Sequence, residues 1–100
     1  MLYYTQLIFV KKGQEDDFNL FESHVLPLLK KHNGVLIYRV RPTDDCIIES
    51  TIDHPYELHL VNFPTRADFD GYARDPDRLK HMPLKELSIE KALLIEGRLL

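Results

Sequence analysis

The chain has 100 residues, of which 44% are apolar, and a formal net charge of −3 from 13 Lys and Arg against 16 Asp and Glu. This length suits one domain, residues 1–100, which buries roughly two thirds of the surface of its unfolded chain. The charges are interleaved rather than grouped in blocks, which argues against nucleic acid as a partner. Cys46 is the only cysteine, so an intrachain disulfide is excluded.

The sequence contains no apolar run of about 18 residues, and residues 1–10 lack a basic leader and a small-residue cleavage site. A lone cysteine also fits a reducing compartment. We therefore expect a cytoplasmic protein with no membrane partner.

The first half of the chain predicts a strand, a helix and a second strand. Leu2–Val10 is apolar on both faces, which is typical of a central strand. Gly13 and a run of acidic residues precede the helix. The helix is predicted to end at Gly34, which can take the left-handed conformation of a helix terminator. Pro27 should kink this helix or divide it in two. Its inner face is predicted to consist of Phe18, Phe21, Val25, Leu28, Leu29 and His32.

The second half predicts two further strands around a broken helical region. Residues 35–41 and 56–63 alternate as strands, and the segment between them is either a long connection or a hairpin. Thr65 and Asp68 form a capping box that starts a helix near Arg66. Two prolines divide residues 74–90 into short helical pieces, and residues 92–100 are the fourth strand.

This order, β-α-β-β-α-β, predicts the ferredoxin-like plan, an α+β fold with a four-stranded antiparallel sheet and two main helices on one face. On strict alternation, Arg39 shares a face with Val35, and Glu57 and His59 share a face with further apolar residues. We infer that this mixed face lies opposite the helices and is covered by a second copy of the chain. Both faces of the first strand are similarly apolar, so the strand pattern alone leaves open which face meets the helices. The charges predicted to pair across that interface are Arg39, Glu57, His59, Glu96 and Arg98.

Residues 60–76, LVNFPTRADFDGYARDP, resemble the dimeric α+β barrel superfamily, which includes antibiotic-biosynthesis-type monooxygenases and muconolactone isomerase-like proteins. The resemblance implies a homodimeric barrel with a small-molecule pocket between the sheet and helices of each subunit. It also implies chemistry without a metal or other cofactor. The histidine common on the second helix of the monooxygenases has no equivalent beside Tyr72, and His81 lies about two turns later.

Six residues are candidates for a site. His59 beside Glu57 suits a general base, although the same pair also suits a structural interface. Tyr72 offers a phenol hydrogen bond, and Asp75 suits either a base or a helix cap. No two histidines have the four-residue helical spacing of a metal site. The predicted catalytic residues are His59, Tyr72 and His81, and the predicted ligand-binding residues are Arg39, Glu57 and Asp75.

Two functions fit these patterns. The first is a homodimer that binds a small aromatic or otherwise apolar organic molecule and oxidises or isomerises it without a cofactor. The second is a dimerisation or sensing module with no catalytic activity. A pocket of roughly 300 Å³ or more with converging polar groups would favour the first, whereas solid packing would favour the second.

Overall fold

The computed structural model describes residues 1–100, and its four strands form one antiparallel sheet in the order β2-β3-β1-β4. The strands are β1 (Leu2–Val10), β2 (Val35–Val40), β3 (Glu57–Phe63) and β4 (Ile89–Gly97). The predicted α+β plan is confirmed, with the apolar strand β1 and its neighbour β3 at the centre. The prediction for β4 was three residues late, because Ile89 already pairs with Val10 across a bulge.

The first helical region divides at Pro27, as the sequence predicts. Helix α1 (Glu15–Val25) passes directly into a 3₁₀ helix (Leu26–His32) that contains the proline in its first turn. The prediction for the end of this region was wrong by one residue. Asn33, with φ of 61°, takes the left-handed conformation, and its N–H bonds back to the carbonyls of the last turn.

Gly34 is required for a different reason, which is space. A Cβ placed there would lie 2.7 Å from the Phe63 ring and 3.1 Å from Leu29. The small residue therefore lets the chain enter β2 directly against the core, where Leu29 and Phe63 pack with Leu2 and Tyr4.

The remaining helices follow the capping signals. Helix α2 (Arg66–Ala73) begins after Thr65, whose hydroxyl accepts a hydrogen bond from the Asp68 N–H at 3.2 Å. Two short helices follow, α3 (Pro76–Leu79) and α4 (Met82–Ser88), each with proline in its first turn. Residues 41–56 form the longer of the two predicted alternatives, a connection with a single 3₁₀ turn at Asp44–Cys46.

The inference that the face with Arg39, Glu57 and His59 lies opposite the helices was wrong. A bulge between Leu36 and Tyr38 shifts the register of β2, so Val35 pairs with Asn62 while Arg39 pairs with His59. Val35 and Arg39 therefore lie on opposite faces, which strict alternation does not allow. The face that carries Arg39 and His59 is the one under the helices.

The opposite face of the sheet is apolar and open. Paired positions place Thr5, Leu60 and Ile95 on it, and Ile95 is 58% exposed. Tyr38 of β2 lies beside Leu60 on the same face and is 63% exposed. No helix of the chain is at once long enough and apolar enough to cross a membrane.

Candidate functional site

A small cavity lies between the helix-covered face of the sheet and helices α1 to α4. Its volume is about 60 Å³, and eleven of its sixteen lining residues are apolar. Leu94 of β4 lines the cavity and is 52% exposed, so the cavity reaches the surface over this edge strand. The volume holds a few water molecules and is well below the roughly 300 Å³ of a pocket for a drug-sized ligand. The polar lining residues are Gln6, Glu22, His59, Arg78 and Lys85.

Glu22 is the most unusual of these residues. It lies on the apolar stripe of α1, one turn from both Phe18 and Val25, and is only 5% exposed. Burial raises the pKa of the Glu22 carboxyl from its ordinary value of 4.5 to about 6, and no side-chain hydrogen bond offsets this effect. The ionisable groups that act on its charge are His59, Glu57, Arg39, Arg78 and Lys85.

Glu57 is also buried, but it is fully paired. Its carboxylate accepts hydrogen bonds from Arg39 Nε at 2.9 Å, Arg41 Nε at 2.7 Å and His59 Nε2 at 2.5 Å. Burial alone would raise the pKa of Glu57, but these three bonds outweigh it and lower the pKa to about 2. The carboxylate is therefore ionised and can only accept, which makes Nε2 of His59 the protonated ring nitrogen.

Tyr72, from α2, closes the cavity beside the core. Its hydroxyl donates to the Val25 carbonyl at 3.3 Å, and burial raises its pKa. The Arg78 guanidinium lies over the Tyr72 ring, 5.1 Å from the ring centroid. The broken helical region thus contributes one cation from α3 and another, Lys85, from α4.

The structure brings together four of the six residues predicted from the sequence. His59 and Tyr72 line the cavity, while Glu57 and Arg39 lie behind His59. Arg39, Glu57 and His59 were predicted to pair across an interface between two chains, but they pair with one another within this chain. Of the other two charges in that set, Glu96 accepts hydrogen bonds from Tyr4 and Arg66 within the chain, and Arg98 lies beyond the end of β4.

The remaining two predicted residues lie outside the cavity. His81 precedes α4 without a side-chain capping hydrogen bond and stacks on His24 of α1, with ring centroids 4.0 Å apart. Asp75 caps α3 and binds His32 Nε2 at 2.6 Å and Lys31 Nζ at 3.0 Å. The His32 and Lys31 contacts hold the pKa of Asp75 well below its ordinary value. Asp75 therefore caps α3 and links it to the end of the first helical region.

Sequence reasoning missed Glu22, Arg78 and Lys85. For Glu22 a signal was present, because its spacing from Phe18 and Val25 puts a carboxylate in the middle of an apolar helix stripe. No pattern in the sequence indicated the two cations, since their approach depends on how two short helices pack. No group of three or more His, Cys, Asp or Glu side chains is arranged to hold a metal ion.

The order and pairing of its elements give this chain a ferredoxin-like α+β fold, and solved structures with the same fold match its whole length. A protein of unknown function from Rhodopseudomonas palustris matches with a TM-score of 0.83 and 14% identity, over 99% of this chain and 82% of that one. A protein from Nitrosomonas europaea, provisionally assigned as an antibiotic biosynthesis monooxygenase, matches with a TM-score of 0.77 and 11% identity, over 100% and 99% of the two chains.

A third match is a dimeric protein of unknown function from Bacteroides fragilis, described as having a ferredoxin-like fold. Its TM-score is 0.71 at 12% identity, over 98% of this chain and 95% of that one. These neighbours agree with the superfamily that residues 60–76 resemble, and at such identities they establish the fold. No family model matches the sequence. No curated protein matches it either.

Proposed function

We propose that this protein binds a small organic molecule in the cavity between its sheet and helices and exchanges a proton with it through Glu22. One observation carries the proposal: a buried carboxyl with no hydrogen-bond partner lines an apolar cavity. Buried polar groups are nearly always paired, so an unpaired one at a cavity wall suits a bound partner. Eleven apolar lining residues favour a molecule with an apolar body.

The acidity of Glu22 suits a general base. With a pKa of about 6, the group is mostly ionised at pH 7 yet close enough to that pH to release the proton again. His59 acts beside it. Because Glu57 holds Nε2 of His59 by a 2.5 Å hydrogen bond, the other ring nitrogen is the one that can accept a proton.

This step is common to both reactions considered for the chain. Isomerisation starts when a base removes a proton from carbon, and oxidation of a phenol by oxygen is helped by removal of the phenol proton. The proposed catalytic residues are Glu22 and His59, with Tyr72 as a hydrogen-bonding group and Arg39 and Glu57 as supports of His59. His81 and Asp75 are not part of the proposed site.

The direct test is proton exchange. Butanone and cyclohexanone, two neutral ketones of different size, are incubated with the protein in D₂O, and deuterium entry beside the carbonyl is followed by NMR. We expect exchange above the buffer rate with the unaltered protein. Glu22→Gln should lower it by about a hundredfold or more, the usual contribution of a general base.

Glu49→Gln is the matched control, because Glu49 is an exposed carboxylate in the connection between β2 and β3. This variant should retain full exchange. If neither ketone exchanges faster than in buffer, or if Glu22→Gln exchanges as fast as the unaltered protein, the proposed function is wrong.

We also propose that two copies associate through the open sheet face. The strand register places the exposed side chains of Tyr38 and Ile95 in one row across this face with Leu60 and Thr5. Large exposed apolar patches of this kind mark interfaces. The dimeric state described for the Bacteroides fragilis neighbour supports this pairing.

A non-catalytic dimerisation module is the second candidate function, and the cavity volume of about 60 Å³ favours it. Such a module needs the interface but no ligand. The two candidates therefore differ in the exchange experiment, since a module leaves the ketones unchanged while remaining a dimer.

A further inference from the structure

Arg78 is incompletely paired where it borders the cavity. Its Nε is buried and has no hydrogen-bond partner. Its Nη1 makes only long contacts, 3.4 Å to the Ala73 carbonyl and 3.9 Å to the Met82 sulfur. A guanidinium presents five N–H donors, and apart from these contacts and its interaction with Tyr72 the protein supplies no partner for Nε.

Lys85 borders the same cavity from α4. Burial, followed by the nearby positive charge of Arg78, lowers the pKa of the Lys85 ammonium. Its Nζ lies within 4.0 Å of no carboxylate, whereas Lys31 and Lys80 elsewhere on the chain have such partners. The two cations therefore lie close enough to repel each other, and neither forms an ion pair.

The charges in the cavity do not balance. Glu22 is the one acidic lining residue, and it forms no ion pair with either Arg78 or Lys85. Glu57 lies behind the wall and already pairs with Arg39, Arg41 and His59, so it does not offset the charge of either cavity cation. One positive charge therefore lacks a counterpart when Glu22 is ionised, and two do when Glu22 is protonated.

From this arrangement we propose that the ligand carries a carboxylate, which Arg78 and Lys85 bind while the rest of the molecule faces Glu22 and His59. A carboxylate accepts the planar N–H pair of a guanidinium and a lysine proton together, so it uses the unpaired Nε and compensates both cations. The inference rests on the proposed function and specifies its substrate class. The cavity volume of about 60 Å³ favours a compact acid.

The test compares acids with their uncharged amides. Propionate with propionamide, and benzoate with benzamide, are titrated into the ¹⁵N-labelled protein and followed by NMR. The acid and the amide of each pair have nearly the same shape, so a difference between their affinities measures the effect of the negative charge. We expect at least one acid to bind about tenfold more tightly than its amide, with shifts centred on α3, α4 and the cavity wall.

Variants locate the charge effect. Lys85→Met removes the cation while keeping an apolar side chain, and we expect it to abolish the preference for the acid. Lys85→Arg keeps the charge and should retain most of that preference. Lys30→Met, which removes an exposed lysine at the end of the first helical region, is the matched control and should bind like the unaltered protein.

Three outcomes would overturn the inference. These are equal binding of acid and amide, acid binding that survives Lys85→Met, and no binding by either member of either pair. None of them decides the proposed function, because deuterium exchange of the neutral ketones tests Glu22 without a carboxylate. Loss of ketone exchange together with retained acid binding would contradict the proton transfer alone.

Discussion

The Nε2–H of His59 donates a hydrogen bond to the buried carboxylate of Glu57, which lies 2.5 Å away and two positions earlier in the same strand. Alternation along β3 puts both side chains on the helix-covered face. The pair fixes the tautomer of His59 at the wall of the cavity. Arg39 and Arg41 bind the same carboxylate, so β2 and the start of the following connection hold the pair in place.

Glu22→Gln is expected to stabilise the fold at pH 8. The folded-state pKa of Glu22 is about 6 against an ordinary 4.5, so the folded state binds the proton more tightly than the unfolded state. The ionised carboxylate therefore costs stability above pH 6, by about 2 kcal/mol, and this cost disappears below about pH 4.5. Urea unfolding at pH 8 and pH 4.5 measures the difference.

The gain from Glu22→Gln should shrink toward zero at pH 4.5, where the neutral Glu and Gln side chains are nearly equivalent. Glu49→Gln should change stability little at either pH, because its carboxylate is exposed. A Glu22→Gln variant that is less stable than the unaltered protein at pH 8 would contradict the burial argument.

Glu57→Gln is expected to destabilise the fold by about 3 kcal/mol at pH 7. The change leaves Arg39 and Arg41 without their counter-charge and removes the carboxylate that accepts the hydrogen bond from His59. The low end of the range for buried ion pairs applies because both arginines are partly exposed. The folded-state pKa of Glu57 is lowered to about 2, so its contribution is present above pH 4.5 and lost as pH falls toward 2.

Urea unfolding at pH 7 and pH 3 tests this second prediction. The difference between the unaltered protein and Glu57→Gln should be smaller at pH 3. An equal difference at both values would show that packing rather than charge holds the Glu57 side chain.

Gly34→Ala is expected to cost about 1–3 kcal/mol through overpacking. The added methyl group would lie 2.7 Å from a Phe63 ring atom and 3.1 Å from Leu29, and both neighbours belong to the core. Gly97→Ala is the matched control, since a Cβ there meets nothing within 4 Å. Thermal unfolding of the two variants should show a lowered midpoint for the first alone.

Ile95→Lys is expected to convert the proposed dimer into a monomer. The side chain lies on the open apolar face, where a lysine ammonium would have to be desolvated on association. Leu20→Lys introduces the same charge at an exposed leucine of α1, on the other side of the molecule, and should leave the dimer intact. Sedimentation measurements distinguish the two results, and a monomeric unaltered protein would rule out the interface.

Local patterns in the sequence predict the order of the helices and strands. The apolar run of β1, the proline that divides the first helical region and the Thr65 cap each depend on neighbours in the sequence, so alternation, helical spacing and capping rules predict them. Tyr72 and the pair of Glu57 and His59 were predicted as site residues for the same reason, because their chemistry and strand or helix positions are local properties.

Which face of the sheet the helices cover was decided only by the tertiary structure. Both faces of β1 are apolar, and the bulge in β2 reverses the relation between Val35 and Arg39, so no alternation rule could assign the charges to a side. The meeting of Glu22 with Arg78 and Lys85 depends on how α1 packs against α3 and α4, which lie far from it in the sequence. Local patterns determine what each element is, whereas the charge balance of the cavity arises from long-range packing, which those patterns do not encode.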